Sequence, residues 1–386
     1  MQGVYGGSPC APFLVNLYIH LHITFKLLLE LFMSYLEQRL ENDLQNIRTR
    51  IIEQARKVQT GVHDAVHALQ TGNNKLAYAT ILNDHPINRT MRDIDRLCHK
   101  FIATHLPSGS HLRLLSSIIR INIELERMGD YAVVIAREAV QLSVPPEGLI
   151  GREIERLSTE SLLMLKQSIK SFEELNAELA RSTMIMASSM EYNLDVVYEE
   201  ISRDSHKQNA KDTLALFVVF TQLKRVADQA KNLCEDTVFA TTGEQKAPKV
   251  YKILFIDEDN SNLSQLAVSI ARKNYPGICG FDSVGRTAAK EINPELVTFL
   301  ASRGADTTDL RTTGLDQLTH QDISEKHVIV SLQGDVSRYL DSIPFHTSAV
   351  EWDISSESDE QNMEILYRTL ALYIKDLMVQ LLGDEV

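Results

Sequence analysis

The chain has 386 residues, of which 44 % are hydrophobic and 24 % are charged, and its formal net charge is −13 at pH 7. At roughly 150 residues per domain this length predicts two or three domains, and the composition excludes a disordered or fibrous chain. The negative charge disfavours nucleic acid as a partner, because a phosphate backbone repels an acidic surface. The four cysteines are far apart and form no C-x-x-C pair, which excludes a disulfide framework or zinc site and fits a cytoplasmic location.

Residues 13–33 form an apolar run near the start of the chain. Five polar or charged side chains interrupt it: Asn16, His20, His22, Lys26 and Glu30. The run is therefore not expected to span a membrane, and it lacks the basic start and cleavage site of a secretory signal. We expect Met33 to be the natural start, with residues 1–33 as an uncertain extension that is a start-site artefact or a frayed segment.

The pattern from residue 34 to residue 241 is helical almost throughout. Apolar residues recur at spacings of three and four, as in Leu40, Leu44, Ile47, Ile51, Ala55 and Val58. This spacing is typical of amphipathic helices that pack on one another.

Three short breaks divide this helical region. They lie at 73–74, 107–110 and 144–148, and they contain the Asn, Gly and Pro residues that end helices. The last break separates residues 34–143 from residues 149–241, and each part has room for about three helices. The sequence therefore predicts two tandem three-helix bundles.

The two parts are also similar to one another. Shifting Leu125–Ala132 (LERMGDYA) along the chain by 98 residues gives Leu223–Ala230 (LKRVADQA), with Leu, Arg, Asp and Ala in register. A period of this length indicates a duplicated three-helix unit rather than a short solenoid repeat.

Glu126 and Asp130 lie four positions apart, so they stack on one face of a helix, where like charges repel. A cation held by carboxylate oxygens between adjacent helices would offset this repulsion. The alternative is that Arg127 and Arg120 neutralise the pair on a solvated face.

The string from Ile121 to Ala132 (INIELERMGDYA), its weaker copy at 223–230 and the six-helix duplication together resemble the PhoU family of phosphate-signalling regulators. The resemblance covers about residues 33–240. It implies a cytoplasmic protein, often a homodimer, that acts with a phosphate ABC transporter and a phosphate sensor kinase. Such a protein would be a negative regulator of phosphate uptake and of the starvation response.

The resemblance also implies a metal-binding Glu-x-x-x-Asp motif on the third helix of each bundle. The motif falls on Glu126 and Asp130 in the first repeat, and on Lys224 and Asp228 in the second. Lys224 and Asp228 are expected to form an ion pair, which removes a ligand from the second repeat.

Further acidic positions are implied on the preceding helix of each bundle. They fall on Asp84 and Asp95 in the first repeat and on Glu191 and Asp195 in the second. We therefore expect divalent or iron ions on the acidic helix faces, chiefly in the first bundle.

The pattern changes after residues 242–249, which form a polar linker. Residues 250–256 (VYKILFI) predict a buried parallel strand. Further predicted elements are helices at 263–274 and 293–303, strands at 327–332 and 349–352, and a terminal helix at 360–382. Strands that alternate with helices predict a small α/β domain with a parallel sheet over residues 250–386.

Residues 253–267 (ILFIDEDNSNLSQLA) resemble the opening strand, phosphate loop and first helix of the low-molecular-weight phosphatase and arsenate reductase family. The family's loop has a nucleophilic Cys and an Arg that binds oxyanions. Those positions hold Asp257 and Leu263 here, although Asn260 and Ser264 remain.

This domain is expected to be catalytically inactive. The loop presents acidic residues, beginning with Asp257, where a phosphate dianion would sit, and like charges repel. Residues 355–357 are Ser, Ser and Glu, where the family has its general-acid Asp, and the later redox cysteine is missing near residues 330–332. Two alternatives remain open: an enzyme that uses the Asp257 carboxylate as a nucleophile with magnesium, and a receiver-like signalling domain.

Overall fold

A computed structural model describes residues 11–187, 210–246, 249–308, 310–344, 346–354 and 363–383. The chain divides into two compact units, Met1–Lys246 and Ala247–Val386. The first unit is helical, and the second combines a parallel sheet with helices. The predicted fold class, tandem helical bundles followed by a small α/β domain, is confirmed.

The first bundle consists of α1 (Ala11–Thr71), α2 (Asn74–His105) and α3 (Gly109–Gln141), each packed on the other two. Two residues join α1 to α2: Gly72 adopts a φ of +66°, and the Asn73 side chain accepts the N–H of Leu76. The helices therefore end at the breaks that the sequence predicts. Among the described residues, no helix is long and apolar enough to cross a membrane.

The second bundle contains α4 (Gly148–Glu173), a helix α5 described over residues 177–187, and α6 (Ala210–Thr242). α3 packs on α6 and α1 on α4, so one apolar core runs through both bundles. Leu125, Ile154 and Val226 belong to this core and are each 0 % exposed. The third helices of the two bundles thus lie side by side at the centre of the unit.

The second unit has a four-stranded sheet with strand order β2-β1-β3-β4, and every pairing is parallel. In chain order its elements are β1 (Lys252–Asp257), α7 (Leu263–Asn274), β2 (Gly280–Gly285), α8 (Pro294–Ser302), α9 (His320–Ser324), β3 (Val328–Ser331), β4 (Ser348–Glu351) and α10 (Met363–Leu382). The sequence pattern missed β2, because GFDSVG has a glycine at each end and one β-branched residue.

The central strand β1 is buried on both faces, as expected for a parallel sheet covered on two sides. Ile253 and Phe255 pack in a cluster with α7 and α10, whereas Leu254 and Ile256 pack in a second cluster on the opposite face. Because β1 ends at Asp257 and α7 begins at Leu263, the loop between them lies at the carboxyl edge of the sheet.

Candidate functional site

Acidic side chains meet where α2 and α3 of the first bundle cross. Asp84 lies on α2, while Glu126 and Asp130 lie on α3. Gly129 on α3 faces α2, because a Cβ atom at its position would be in ordinary van der Waals contact with α2, 3.5 Å from Asp84 Oδ1 and 3.4 Å from Ile87 Cγ2. The sequence motif therefore stands directly against α2.

The three carboxylates share one electrostatic field. Burial raises the pKa of Asp84, and the charge of Asp130 raises it further. Burial also raises the pKa of Glu126, followed by the charges of Asp130 and Asp84. The charge of Asp130 therefore makes both Asp84 and Glu126 harder to ionise, as expected for like charges at short range.

The arginines do not neutralise this group as the alternative interpretation requires. Arg120 pairs with Asp236 on α6. Arg127 lies 3.5 Å from Glu124, and its lowering of the Glu126 pKa is the weakest of the causes acting on that group. His85, the Asn88 amide and Arg137 also lower the pKa of Asp84, but burial and the charge of Asp130 outweigh them, so that pKa stays raised.

Two oxygen atoms in this group are buried without a hydrogen-bond partner: Asp84 Oδ1 and Asn88 Oδ1. The Asn88 amide donates to the other oxygen, Asp84 Oδ2, over 2.7 Å. Buried acceptors normally have a partner, and oxygens of this kind are preferred ligands of hard cations. Sequence reasoning missed Asn88, although it stands four positions after Asp84 as Asp130 does after Glu126.

The oxygens fit a cation by their chemistry and neighbourhood. Within the described ranges, no group of three His, Cys, Asp or Glu side chains lies close enough to bind one metal ion jointly. The metal ions expected from the sequence therefore stay a prediction.

The structure separates Asp95 from this group. It follows Asp84 by three helical turns on α2, about 16 Å along the axis at 1.5 Å per residue. Its carboxylate lies 3.5 Å from His99 Nδ1. The spacing of the two residues along one helix already implies this separation, so Asp95 cannot share a cation with Asp84.

The second bundle differs at the equivalent place. Lys224 Nζ lies 3.2 Å from Asp228 Oδ2, which is the ion pair that the sequence predicts. Glu191 and Asp195 lie outside the described residues. An ammonium group of the chain itself therefore neutralises Asp228.

A second polar site lies between α3 and α6 and was not found from the sequence. It is a cavity of about 410 Å³ whose lining includes Arg120, Glu124, Asn232, Glu235 and Asp236. Burial raises the pKa of Asp236 to about 6; Arg120 lowers it, while Glu124 and Glu235 raise it. Only the fold could reveal this site, because α3 and α6 are far apart in the chain.

In the second unit, the β1–α7 loop is filled by its own carboxylate. Asp257 is 2 % exposed, and its oxygens accept the backbone N–H of Asn260 over 2.6 Å and of Ser264 over 2.8 Å. Burial raises its pKa, and these hydrogen bonds lower it. Asn260 has a φ of +56° and donates to Ser264 Oγ over 2.7 Å, while Leu263 is buried.

The outer part of this loop is held by the segment that follows β3. Arg338 Nη2 lies 3.2 Å from Glu258 Oε1, and the Tyr339 hydroxyl donates to the same oxygen over 3.3 Å. Residues 355–357, where the family's general acid would lie, are outside the described residues. Residues 299–302 belong to α8, so they do not form the third strand that the receiver-like alternative requires.

The helical unit matches known proteins. Residues 51–139 and 154–237 each match the PhoU domain. The chain is 28 % identical over 216 residues to the phosphate-specific transport system accessory protein PhoU homolog of Pseudomonas aeruginosa, covering 54 % of this chain and 88 % of that protein. It is 26 % identical over 208 residues to the Escherichia coli PhoU protein, and the alignment covers 52 % of this chain and 85 % of that protein.

Solved structures agree. The crystal structure of PhoU from Pseudomonas aeruginosa matches with 27 % identity and a TM-score of 0.51, covering 53 % of this chain and 99 % of that one. The helical unit is thus similar to PhoU proteins in both sequence and structure. Structures similar to the C-terminal part include an arsenate reductase of Corynebacterium glutamicum, with 19 % identity and a TM-score of 0.30. The match covers 40 % of this chain and 75 % of that one. This last likeness is too low to bear on function.

The raised pKa of Asp236 predicts a pH dependence of stability. Its folded pKa of about 6 exceeds the ordinary 3.8, so its stabilising effect is present at low pH and is lost as the pH rises through about 6. Relative to Asp236→Asn, we expect the wild-type free energy of unfolding to fall by up to about 3 kcal/mol between about pH 4 and pH 7. Urea denaturation at several pH values measures this, with the exposed Asp93→Asn as control; parallel curves for Asp236→Asn and wild type would contradict the assignment.

Proposed function

We propose that this protein is a cytoplasmic, homodimeric PhoU-like regulator that restrains phosphate uptake and the phosphate-starvation response. Its partners would be a phosphate ABC transporter and a phosphate sensor kinase. The observation that carries the proposal is the pair of PhoU-domain matches, supported by an alignment that covers 88 % of a relative named as a phosphate-specific transport system accessory protein.

A cation on the α2–α3 face is part of the proposal. Asp84, Asn88, Glu126 and Asp130 would hold a divalent or iron ion, which would neutralise their charge and link the two helices. The support is the two buried oxygens without partners and the mutual repulsion of the carboxylates. Asp228 would not take part, because Lys224 already neutralises it.

Regulation would then work as a population shift. A ligand changes an equilibrium only by binding one state better than another. With the cation bound, the carboxylates of α2 and α3 would both be attracted to it. Without the cation, the same carboxylates repel one another and push the two helices apart. One of these states of the first bundle would bind the transporter or the kinase.

The second unit would act by binding a partner rather than by catalysis. Asp257 is buried, and both of its oxygens accept backbone N–H groups, so neither is free to attack a substrate. The position of an anion-binding arginine holds the apolar Leu263. The second unit is thus expected to be a pseudophosphatase domain, whose β1–α7 loop neither cleaves nor binds a phosphate ester.

The regulatory role is tested in cells that lack the gene and grow in ample phosphate. We expect a phosphate-starvation reporter and phosphate uptake to rise, because the restraint is lost. The wild-type gene should restore both readouts, and Glu126→Ala/Asp130→Ala should restore them less well. Asp93→Asn/Asp95→Asn, which removes the same number of charges from α2 outside the group, is the matched control. Unchanged readouts in the deletion strain would contradict the proposal.

The enzyme alternative is tested with a phosphotyrosine analogue, with and without magnesium. We expect no turnover above background, because Asp257 is enclosed by its own loop. Turnover that needs magnesium and is abolished by Asp257→Asn would establish the enzyme instead. Circular dichroism of Asp257→Asn confirms that loss of turnover is not loss of fold.

A further inference from the structure

The side chain of Asn122 links the two helices that carry the acidic group. It lies one turn before Glu126 and two turns before Asp130, on the same face of α3. Asn122 is 1 % exposed, and its Nδ2 donates to the main-chain oxygen of Met91 on α2 over 2.8 Å. The face of α3 that carries the motif is therefore tied to α2 just beyond Asn88.

The same stretch of α2 is held from its other side. Gln54 on α1 is 0 % exposed, and its Nε2 donates to the main-chain oxygen of Ile87 over 2.9 Å. Pro86 lies inside α2 and has no N–H, so the carbonyl of Leu82 lacks its usual helical partner. Two carboxamides from neighbouring helices thus donate to main-chain oxygens of α2, at Ile87 and Met91, on the C-terminal side of Pro86.

The two amide side chains lower the stability of the fold at these buried positions. Asn122 Oδ1 and Gln54 Oε1 are both buried without a hydrogen-bond partner. A buried acceptor without a partner costs stability, and an apolar side chain of similar shape would remove that cost. The benefit of Asn122 must therefore lie in where it places the helices.

We propose that Asn122 is a positioning residue for the cation site, because it sets the axial position of Asp84 and Asn88 on α2 against Glu126 and Asp130 on α3. This role rests on the proposed function. Residues that orient metal ligands through hydrogen bonds typically change metal affinity by about 10- to 100-fold when they are replaced.

The test is a Mn²⁺ titration of the full-length protein followed by electron paramagnetic resonance, with the melting temperature of each variant. We expect Asn122→Leu to weaken Mn²⁺ binding about tenfold or more and to alter the spectrum of bound Mn²⁺, while its melting temperature stays equal or rises. Asn122→Ser, which is too short to reach Met91, serves if the Leu variant does not fold.

Ser161→Ala is the matched control. Ser161 is also 0 % exposed and donates to a main-chain oxygen of a neighbouring helix, that of Leu223 over 3.1 Å, but it lies in the second bundle. It should leave Mn²⁺ binding unchanged, whereas Glu126→Ala/Asp130→Ala should abolish it.

The outcomes separate the two proposals. If wild type binds no Mn²⁺, the cation site fails and the role of Asn122 fails with it. If binding is lost in Glu126→Ala/Asp130→Ala but Asn122→Leu binds like wild type, the cation site stands and the positioning role is overturned. A lower melting temperature with unchanged binding shows a structural role only and also overturns it.

Discussion

Repulsion between carboxylates at the α2–α3 crossing is the constraint on which the account of this protein depends. Gly129 on α3 lies against Asp84 and Ile87 of α2, so Asp84 stands close to Glu126 and Asp130. The shared core holds the helices in this arrangement, and the partial offset from Arg127 and Arg137 of α3 leaves the pKa values of Asp84 and Glu126 raised. The group therefore favours uptake of a cation or a proton, and either event changes the force between the two helices.

The other polar centres of the chain supply their own counter-charge. Lys224 neutralises Asp228 in the second bundle, and the Asp257 carboxylate fills the loop at the start of α7. The Lys224 ammonium group thus takes the place of a cation at Asp228, and the Asp257 carboxylate takes the place of an anion in the loop. The first bundle differs because Asp84 Oδ1 and Asn88 Oδ1 lack partners. Among the residues that the structure describes, the response to an external ion is therefore expected from the first bundle.

Periodicity and turn residues were sufficient to predict the helical bundles, since long amphipathic helices with Asn, Gly and Pro breaks leave few alternatives. The strand β2 was missed because its residues have little β propensity and gain order from pairing with β1. Sequence spacing identified the face that carries Glu126 and Asp130 but gave no distances between helices. Asn88 and the α3–α6 cavity therefore required the structure, whereas the separation of Asp95 from Asp84 follows from their spacing along one helix.

The most direct test of the central claim is a crystal structure of the full chain soaked with Mn²⁺, with diffraction recorded at a wavelength where manganese scatters anomalously. We expect an anomalous difference peak between α2 and α3, within coordination distance of oxygens of Asp84 and Glu126, and none at Asp228. A map with no peak between α2 and α3 at saturating Mn²⁺, or with an equal peak at Lys224 and Asp228, would contradict a cation site that is specific to the first bundle.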